Sequence, residues 1–424
     1  MIAVGDDDQN IYAFRGSDSR YLKSLILDDG AQLYEMVENY RSRPNIVALA
    51  NAFAATIQSR IKTAPIRAVQ TELGTVQLVH HIRTNMEQPV VDQVYTTYHG
   101  GTACVLTGTN DEALRVMGLL TKRGLRARLI QSNHGFRLYN LAEIRFFLKE
   151  IDQRIQSPVI PDTLWEDAAD KLKAAYSDSA CLGICLNLIG EFALVNRTKY
   201  RTDLEEFIKE SNYEDFYDDD KETIVVSTIH KAKGREFDTV YILISNMDCT
   251  TEAVKRQVYV GLTRAKSALY IHHNNHLFDA SQIPDVVLIE DPVDYSEPDE
   301  ITLQLSHRDV VLDFFKGKSE TICKLRSGAS LHPNGAYLTG KVKGQTVRVV
   351  KCSNACIARI DALEKKGYRL CGAAVRFVLA WCGENDDEET TILLPDLHFK
   401  RSEGPASSIE NQKTPRTRIG FTPS

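Results

Sequence analysis

Hydrophobic and polar positions follow two rhythms along this chain. Short apolar runs bounded by polar or glycine-containing turns, TVQLVHHI (75–82), TACVLTG (102–108) and RARLI (126–130), read as buried strands. Between them the spacing turns helical. Ser42-Arg43-Pro44 starts a helix whose Ile46, Leu49, Ala50, Phe53 and Ile57 share one face, and Asn110-Asp111 caps another that runs to Lys122-Arg123-Gly124. The same rhythm resumes with TIVVSTIH (223–230), TVYILI (239–244), a helix through Gln257 to Thr263, and SALYIHH (267–273). Strand, helix, strand in this order predicts an α/β fold with a largely parallel sheet covered by helices.

Between Leu141 and Phe216 the periodicity is mostly helical, ending in the acidic run Tyr213–Asp220, which reads as a solvated linker or face. The expected organisation is one α/β domain over residues 1–285 with a helical insertion at about 141–220. DPVDYSEPDE (291–300) marks a linker over 286–300. A small β-rich domain over 301–402 follows, with strands at GAYLTGKV, QTVRVVK, AVRFVLAW and TTILLP and a helix from about Asn354 to Lys366. Residues 403–424 are polar, contain proline and are expected to lack fixed structure.

Composition narrows the class. With 43% hydrophobic and 25% charged residues the chain is that of a folded protein, and a formal charge of -6 argues against a general basic coat without excluding a local basic channel. The nine cysteines are odd in number and scattered, as reduced thiols are. Cys352, Cys356, Cys371 and Cys382 form the tightest group but lack the short paired spacing of a zinc site, so no metal site is expected within the chain. No run of about 18 apolar residues is present, and the expectation is a cytoplasmic protein without a membrane contact.

Candidate chemistry lies where polar groups interrupt buried runs. Met1-Ile2-Ala3-Val4 reads as the end of a strand, which places GDDDQNIYAFRG (5–16) at its exit, where open α/β sheets bind ligands. In STIHKAKGREFDTVYIL (227–243), Lys231, Lys233 and Arg235 surround Gly234, a turn suited to an anion. In RQVYVGLTRAKSALYI (256–271), Arg256 and Arg264 are eight residues apart, close enough around a helix to reach one crevice.

Together these segments resemble the second half of a superfamily 1 DNA helicase of the UvrD/Rep/PcrA type. GDDDQNIYAFRG is similar to motif III, NYRSRPNI (39–46) to motif IV, VSTIHKAKGREFDTVYIL to motif V and VYVGLTRAKSALYI to motif VI, and GFRLYNLAEIRFFL (135–148) resembles the entry into the family's helical insert. The resemblance implies a RecA-like second motor domain of the P-loop NTPase type that couples ATP hydrolysis to 3′ to 5′ stepping on single-stranded or partly duplex DNA, in the setting of DNA repair. Carried over residue by residue, it implies that Gln9 senses the γ-phosphate, that Arg41 contacts phosphates and that Arg264 is an arginine finger. Two such guanidiniums stabilise charge growing on a transferring phosphoryl group. Glu236 binds the nucleotide ribose, and Arg15 bridges the nucleotide and DNA sites. Tyr12 and Phe14 offer aromatic faces to bases, while Thr228 and His230 touch the DNA strand.

The chain also departs from the family pattern. It contains no phosphate-binding loop, Gly317-Lys318-Ser319 lacking the required glycine at position 312, and no Asp-Glu magnesium motif upstream of the matching segments. ATP and Mg2+ are therefore expected to be held with an N-terminal motor domain, in the same full-length chain or a separate one, and the 424-residue chain alone is expected not to hydrolyse ATP. The helical insert and the Asn246–Val254 connection are short, which argues against strand separation by a large insert. The alternative is a catalytically inactive nucleic-acid or protein-binding module derived from the same fold.

Overall fold

The computed structural model describes residues 2–12, 16–27, 30–130, 136–211, 213–216, 223–275, 283–383, 388–402 and 416–418. In chain order come α1 (Arg20–Leu27), β1 (Glu38–Asn39), α2 (Pro44–Ala54), β2 (Arg67–Ala68), β3 (Thr75–His81), α3 (Glu87–Thr97), β4 (Ala103–Thr107), α4 (Asn110–Lys122) and β5 (Ala127–Leu129). The helices α5 (Ala142–Asp152), α6 (Asp162–Ala175), α7 (Leu182–Val195) and α8 (Arg201–Glu210) follow. Then come β6 (Ile224–Thr228), β7 (Phe237–Ile244), α9 (Glu252–Leu262), β8 (Ala265–His273) and β9 (Val287–Asp291). The β-rich stretch holds β10 (Glu300–Gln304), α10 (Ser319–Ile322), β11 (Ser330–Asn334), β12 (Tyr337–Val342), β13 (Gln345–Lys351), α11 (Asn354–Lys365), β14 (Tyr368–Trp381) and β15 (Thr390–Arg401), and β16 (Arg416–Arg418) comes last.

These elements form two compact units. The first comprises Met1–Ile130, Lys221–Pro298 and Ser407–Ser424. Its eight-stranded sheet has the order β16-β9-β3-β8-β7-β4-β6-β5, parallel except for the antiparallel edge strand β16. Alternate residues of one strand supply opposite faces. Cys104 and Leu106 join Val240, Ile242, Leu269 and Ile271 beneath α2 and α9, while Ala103 and Val105 join Ile224, Val226, Tyr241 and Tyr270 beneath α3 and α4. Both faces are buried, which is why the strands read as continuous apolar runs. TACVLT and IVVST lie side by side, with Val105 opposite Val226.

The second unit comprises Gln131–Asp220 and Asp299–Ala406. Its six-stranded sheet, β10-β15-β14-β11-β12-β13, is antiparallel throughout. One core joins Phe147, Trp165, Leu188 and Phe192 of the helices to Leu331, Val350, Phe377, Leu393 and Phe399 of the strands. The helical stretch, expected as an insertion in the first domain, thus shares its interior with the β-rich stretch. Amphipathic periodicity shows that a helix has an apolar face and is silent about what covers it.

Five further expectations differ from the structure. Ile2 to Val4 form no strand among the described residues, and Ile2 and Val4 are 93% and 85% exposed, because nothing described pairs with them or covers them. The 286–300 linker begins with a strand, since Val287, Leu288 and Ile289 extend the sheet beside β3. Of the acidic run, Tyr213–Phe216 is a 3-10 turn with both aromatic rings buried, and its Asp residues 218–220 lie outside the described residues. Within 403–424, Arg416–Arg418 pair with β9. Thr109 rather than Asn110 caps α4, through a reciprocal box with Glu112. Among the described residues no helix is long and apolar enough to cross a membrane.

Candidate nucleotide and nucleic-acid site

The first unit's opening loop is held rigidly from three directions. Asp6 caps a single 3-10 turn, Asp7–Gln9, accepting the Asp8 N–H at 3.2 Å. Asp8 is fully buried and receives the Arg60 guanidinium through three contacts of 2.7–3.0 Å, Asp7 accepts the Ile61 N–H at 2.7 Å, and Arg256 Nε donates to the Asp7 carbonyl at 3.2 Å. Such bidentate charge-assisted pairing makes the turn a stiff support. It presents Gln9, whose Nε2 donates to Asp6 Oδ2 at 2.9 Å, leaving Oε1 to accept Arg264 Nη2 at 3.0 Å.

Arg264 sits just after α9, where the chain turns into β8, and is 3% exposed. Its Nε donates to the Val260 carbonyl at 3.0 Å, Nη1 to the Arg235 carbonyl at 3.2 Å and Nη2 also to Thr263 Oγ1 at 3.0 Å. Burial, and next the charge of Arg41, lower its pKa to about 10, still protonated at neutral pH.

Arg41 is brought in from the segment after β1. Asn39 Oδ1 accepts the backbone N–H groups of Arg41 and Ser42 at 3.0 and 2.8 Å, Ser42 Oγ donates to the Ala265 carbonyl at 2.7 Å, and the Arg43 N–H donates to the Lys266 carbonyl at 3.0 Å. These bonds stitch NYRSRPNI to the start of β8. Arg41 Nη1 donates to the Thr263 carbonyl at 3.2 Å, and Nη2 is ion-paired with Glu236 Oε1. Arg41 Nε is buried with no acceptor. Lys266 Nζ lies 3.9 Å from Glu236 Oε2.

On the other side of Gln9 stands an aromatic and basic group. Lys233 Nζ donates to the Gln9 carbonyl at 2.9 Å and lies 5.1 Å over the Tyr12 ring, while the Tyr12 hydroxyl donates to the His230 carbonyl at 2.9 Å. The Tyr12 and His230 rings are 6.5 Å apart, and burial lowers the His230 pKa. Polar contacts therefore run without a break from Glu236 through Arg41, Thr263, Arg264, Gln9 and Lys233 to Tyr12 and His230. Thr228, at the end of β6, is 7% exposed. Phe14 and Arg15 lie outside the described residues.

The structure thus brings together Gln9, Arg41, Glu236 and Arg264, and beside them Tyr12 and His230. It does not bring the basic turn to one point. Lys231 Nζ turns away to Asn110 Oδ1 at 2.8 Å and the Ile130 carbonyl at 3.2 Å, while the Gln9 carbonyl is taken by Lys233. Arg256 and Arg264 both reach the opening loop, although α9 ends at Leu262 and only Arg256 is on the helix. Asp6, Thr263 and Lys266 are contributors that pattern reasoning passed over. Lys266 alone carried a signal, lying two residues after Arg264 and so on the same side of an extended chain.

Two guanidiniums near enough for the charge of Arg41 to lower the Arg264 pKa, one with a buried unpaired N–H, fit a polyanionic ligand such as a nucleoside triphosphate. The three neighbouring aspartates do not fit a magnesium ion in the same way. Their ligand atoms lie within 4.8 Å of one another, but Asp6 is engaged by Gln9, Asp7 by Ile61 and Asp8 by Arg60. The nine cysteines are free thiols, with Cys352 and Cys356 buried and Cys371 and Cys382 exposed.

Residues 185–276 match the family described as UvrD-like helicase C-terminal domain. DNA helicase II of Salmonella typhimurium is 39% identical over 62 residues, 14% of this chain and 9% of that protein. The ATP-dependent DNA helicase UvrD2 of Mycobacterium bovis is 24% identical over 318 residues, 63% of this chain and 42% of that protein. The chain thus spans less than half the length of either relative. A solved structure, the C-terminal domain of a possible DNA helicase from Lactobacillus plantarum WCFS1, aligns with 59% of this chain and 98% of its own at 15% identity, with a TM-score of 0.30.

Proposed function

Because the chain carries a UvrD-like helicase C-terminal domain, we propose that it is the C-terminal part of an ATP-dependent 3′–5′ DNA helicase or translocase. Its nucleotide cleft is shared with an N-terminal motor domain, in the same full-length chain or a separate one. The observation that carries this reading is the pairing of buried Arg264 with half-buried Arg41 beside Gln9 and Glu236, with Arg41 Nε lacking an acceptor. A phosphate group arriving there would supply that acceptor and relieve the repulsion between the two cations.

In this reading Gln9 and Arg264 act as one unit, since the amide is already oriented by Asp6 and the guanidinium. They are held still before the reaction, and so pay little reorganisation when charge develops on the transferring phosphoryl oxygens. Arg41 contacts phosphate and Glu236 the ribose. Magnesium, which would neutralise charge on the β- and γ-phosphates, is held mainly by the partner domain, consistent with the engaged state of Asp6, Asp7 and Asp8. Tyr12, Thr228 and His230 contact single-stranded DNA, with Phe14 assigned to base stacking by its motif alone, and the bond from Lys233 to the Gln9 carbonyl ties the two sites together. Ile2, Val4, Tyr21, Tyr34, Met36 and Tyr40, all at least 67% exposed, supply apolar surface for the partner domain to cover.

The test is DNA-stimulated ATP hydrolysis by the chain combined with a first motor domain carrying the phosphate-binding loop. Turnover that appears on mixing and falls about 10³-fold in Arg264→Ala is the expected result. Absence of stimulation by the intact chain rejects the motor reading in favour of a binding module.

A further inference from the structure

The forty residues Thr321–Ile360 contain seven lysines or arginines and no aspartate or glutamate, in a chain whose net charge is -6. This asymmetry is concentrated in the hairpin β12–β13. The hairpin closes through Lys343 and Gly344 with φ of 50° and 81°, the left-handed pair of a tight two-residue turn. In a regular strand, residues 348 and 351 would point to opposite faces. Here the register shifts between Leu338 and Thr339, so that Lys351 stands opposite Tyr337 and Arg348 opposite Thr339. The bulge moves both cations onto the face of Tyr337, with Lys341 further along.

The side chains follow that register. Arg348 lies 4.5 Å and Lys351 6.0 Å from the Tyr337 ring centroid. Phe314 packs 5.9 Å from Tyr337, with Lys318 Nζ 3.0 Å from its own ring centroid. Lys341 and Arg348 are exposed, while Tyr337, Phe314, Lys318 and Lys351 are half-buried. Val349 and Val350 point into the core, so the hairpin is anchored on its other side. The nearby acids are Asp313, paired with Lys316 at 2.7 Å, and the exposed Glu320. Burial and Arg348 lower the Lys318 pKa, as unneutralised neighbouring cations do.

We propose that this outer face, Tyr337, Arg348 and Lys351 with Phe314, Lys318 and Lys341, binds single-stranded nucleic acid. Cations interleaved with aromatic rings suit a strand whose phosphates run along the basic row and whose bases stack on the rings, as a duplex with its base faces covered cannot. The site goes beyond the motor reading, because it lies outside residues 185–276 and requires no nucleotide.

Fluorescence anisotropy of a labelled oligo(dT) about 20 nucleotides long, titrated with the full chain without ATP or any first motor domain, tests the proposal independently of the ATPase reading. Arg348→Glu with Lys351→Glu should weaken binding at least about tenfold and reduce the slope of log affinity against log salt by about 1.4. Tyr337→Ala should cost about tenfold with the slope unchanged. If the glutamate pair fails to fold by circular dichroism, Arg348→Gln with Lys351→Gln carries the same test. Binding of oligo(dT) within twofold of the parent by the charge variants, or no measurable binding by the parent, overturns the proposal. Equal affinity for a duplex of the same length overturns its single-strand part, and equal affinity for a polyglutamate peptide assigns the face to an acidic protein instead.

Discussion

At Gln9 a neutral side chain is made specific by its neighbours: Asp6 takes the amide N–H, so the oxygen faces Arg264. Burial has a comparable effect on the titratable groups that this chain keeps away from its surface. His272 is fully enclosed, 2.9 Å from His81 Nε2, and beyond it His81 Nδ1 approaches Asp291 Oδ2 at 3.3 Å, which also accepts the Tyr295 hydroxyl at 2.9 Å. Burial, and next His81, hold the His272 pKa well below 6.5. Below about pH 6.5 the unfolded chain takes up a proton there that the folded chain refuses, so stability falls as pH falls. One pH unit of this window is worth about 1 kcal/mol. The drop in thermal midpoint between pH 7.5 and 5.5 should therefore be smaller in His272→Asn than in the parent; an equal drop would show that His272 does not carry it. Glu143 has the opposite sign. It is buried with Oε2 unpartnered and Oε1 accepting Ser179 Oγ at 2.6 Å, and burial raises its pKa, so stability is lost as pH rises above the usual carboxylate range. Glu143→Gln should raise the midpoint at pH 8, by about 1 kcal/mol of stability, and leave it nearly unchanged at pH 4.

Elements were legible where a residue's neighbours in sequence are also the cause of its conformation. The apolar runs of β3, β4, β6, β7 and β8 announce a doubly covered sheet, and Pro44 marks the first residue of α2. Gly74 shows what such reading misses. Its N–H and carbonyl are both bonded to the Asn45 amide at 2.9 and 2.7 Å, and a Cβ there would meet the Ser267 carbonyl oxygen at 2.5 Å. That constraint comes from a strand almost two hundred residues away. Gly118, inside α4, has open space where its Cβ would stand. Gly74→Ala should destabilise by about 1–3 kcal/mol through forced backbone movement, whereas Gly118→Ala should stabilise by about 0.5–1 kcal/mol by restricting the unfolded chain. Thermal unfolding of the two variants would separate them in sign, and a stabilised Gly74→Ala would contradict the packing at the start of β3. The site divides in the same way. Gln9, Arg41, Glu236 and Arg264 could be named through the motif resemblance, but the turning away of Lys231 depends on Asn110 and Ile130, which no local pattern reports.

For the whole molecule, the partition of the chain makes a claim that periodicity alone could not make. Helices α5–α8 carry enough apolar residues to resemble an independent insertion, yet Leu141 bridges to Leu379 and Phe136 packs against Phe377 at 5.1 Å. Buried Arg376 is part of the same interior, donating to Gln304 Oε1 at 3.0 Å and the Leu305 carbonyl at 2.6 Å and lying 3.3 Å from Asp396. The helices would lose the strands that cover their apolar face if residues 299–424 were removed, and the cost of exposing large side chains, about 25 cal/mol per Å², exceeds what short helices offset alone. A chain ending at Pro298 should therefore keep a protease-resistant first unit while its 136–216 segment is cut rapidly. A chain ending at Ser402 loses β16 but keeps all of β10–β15, and its 136–216 segment should resist cleavage as in the parent. Resistance of that segment in the shorter chain would mean that the helices fold on their own, and that the shared core is an encounter between two finished domains.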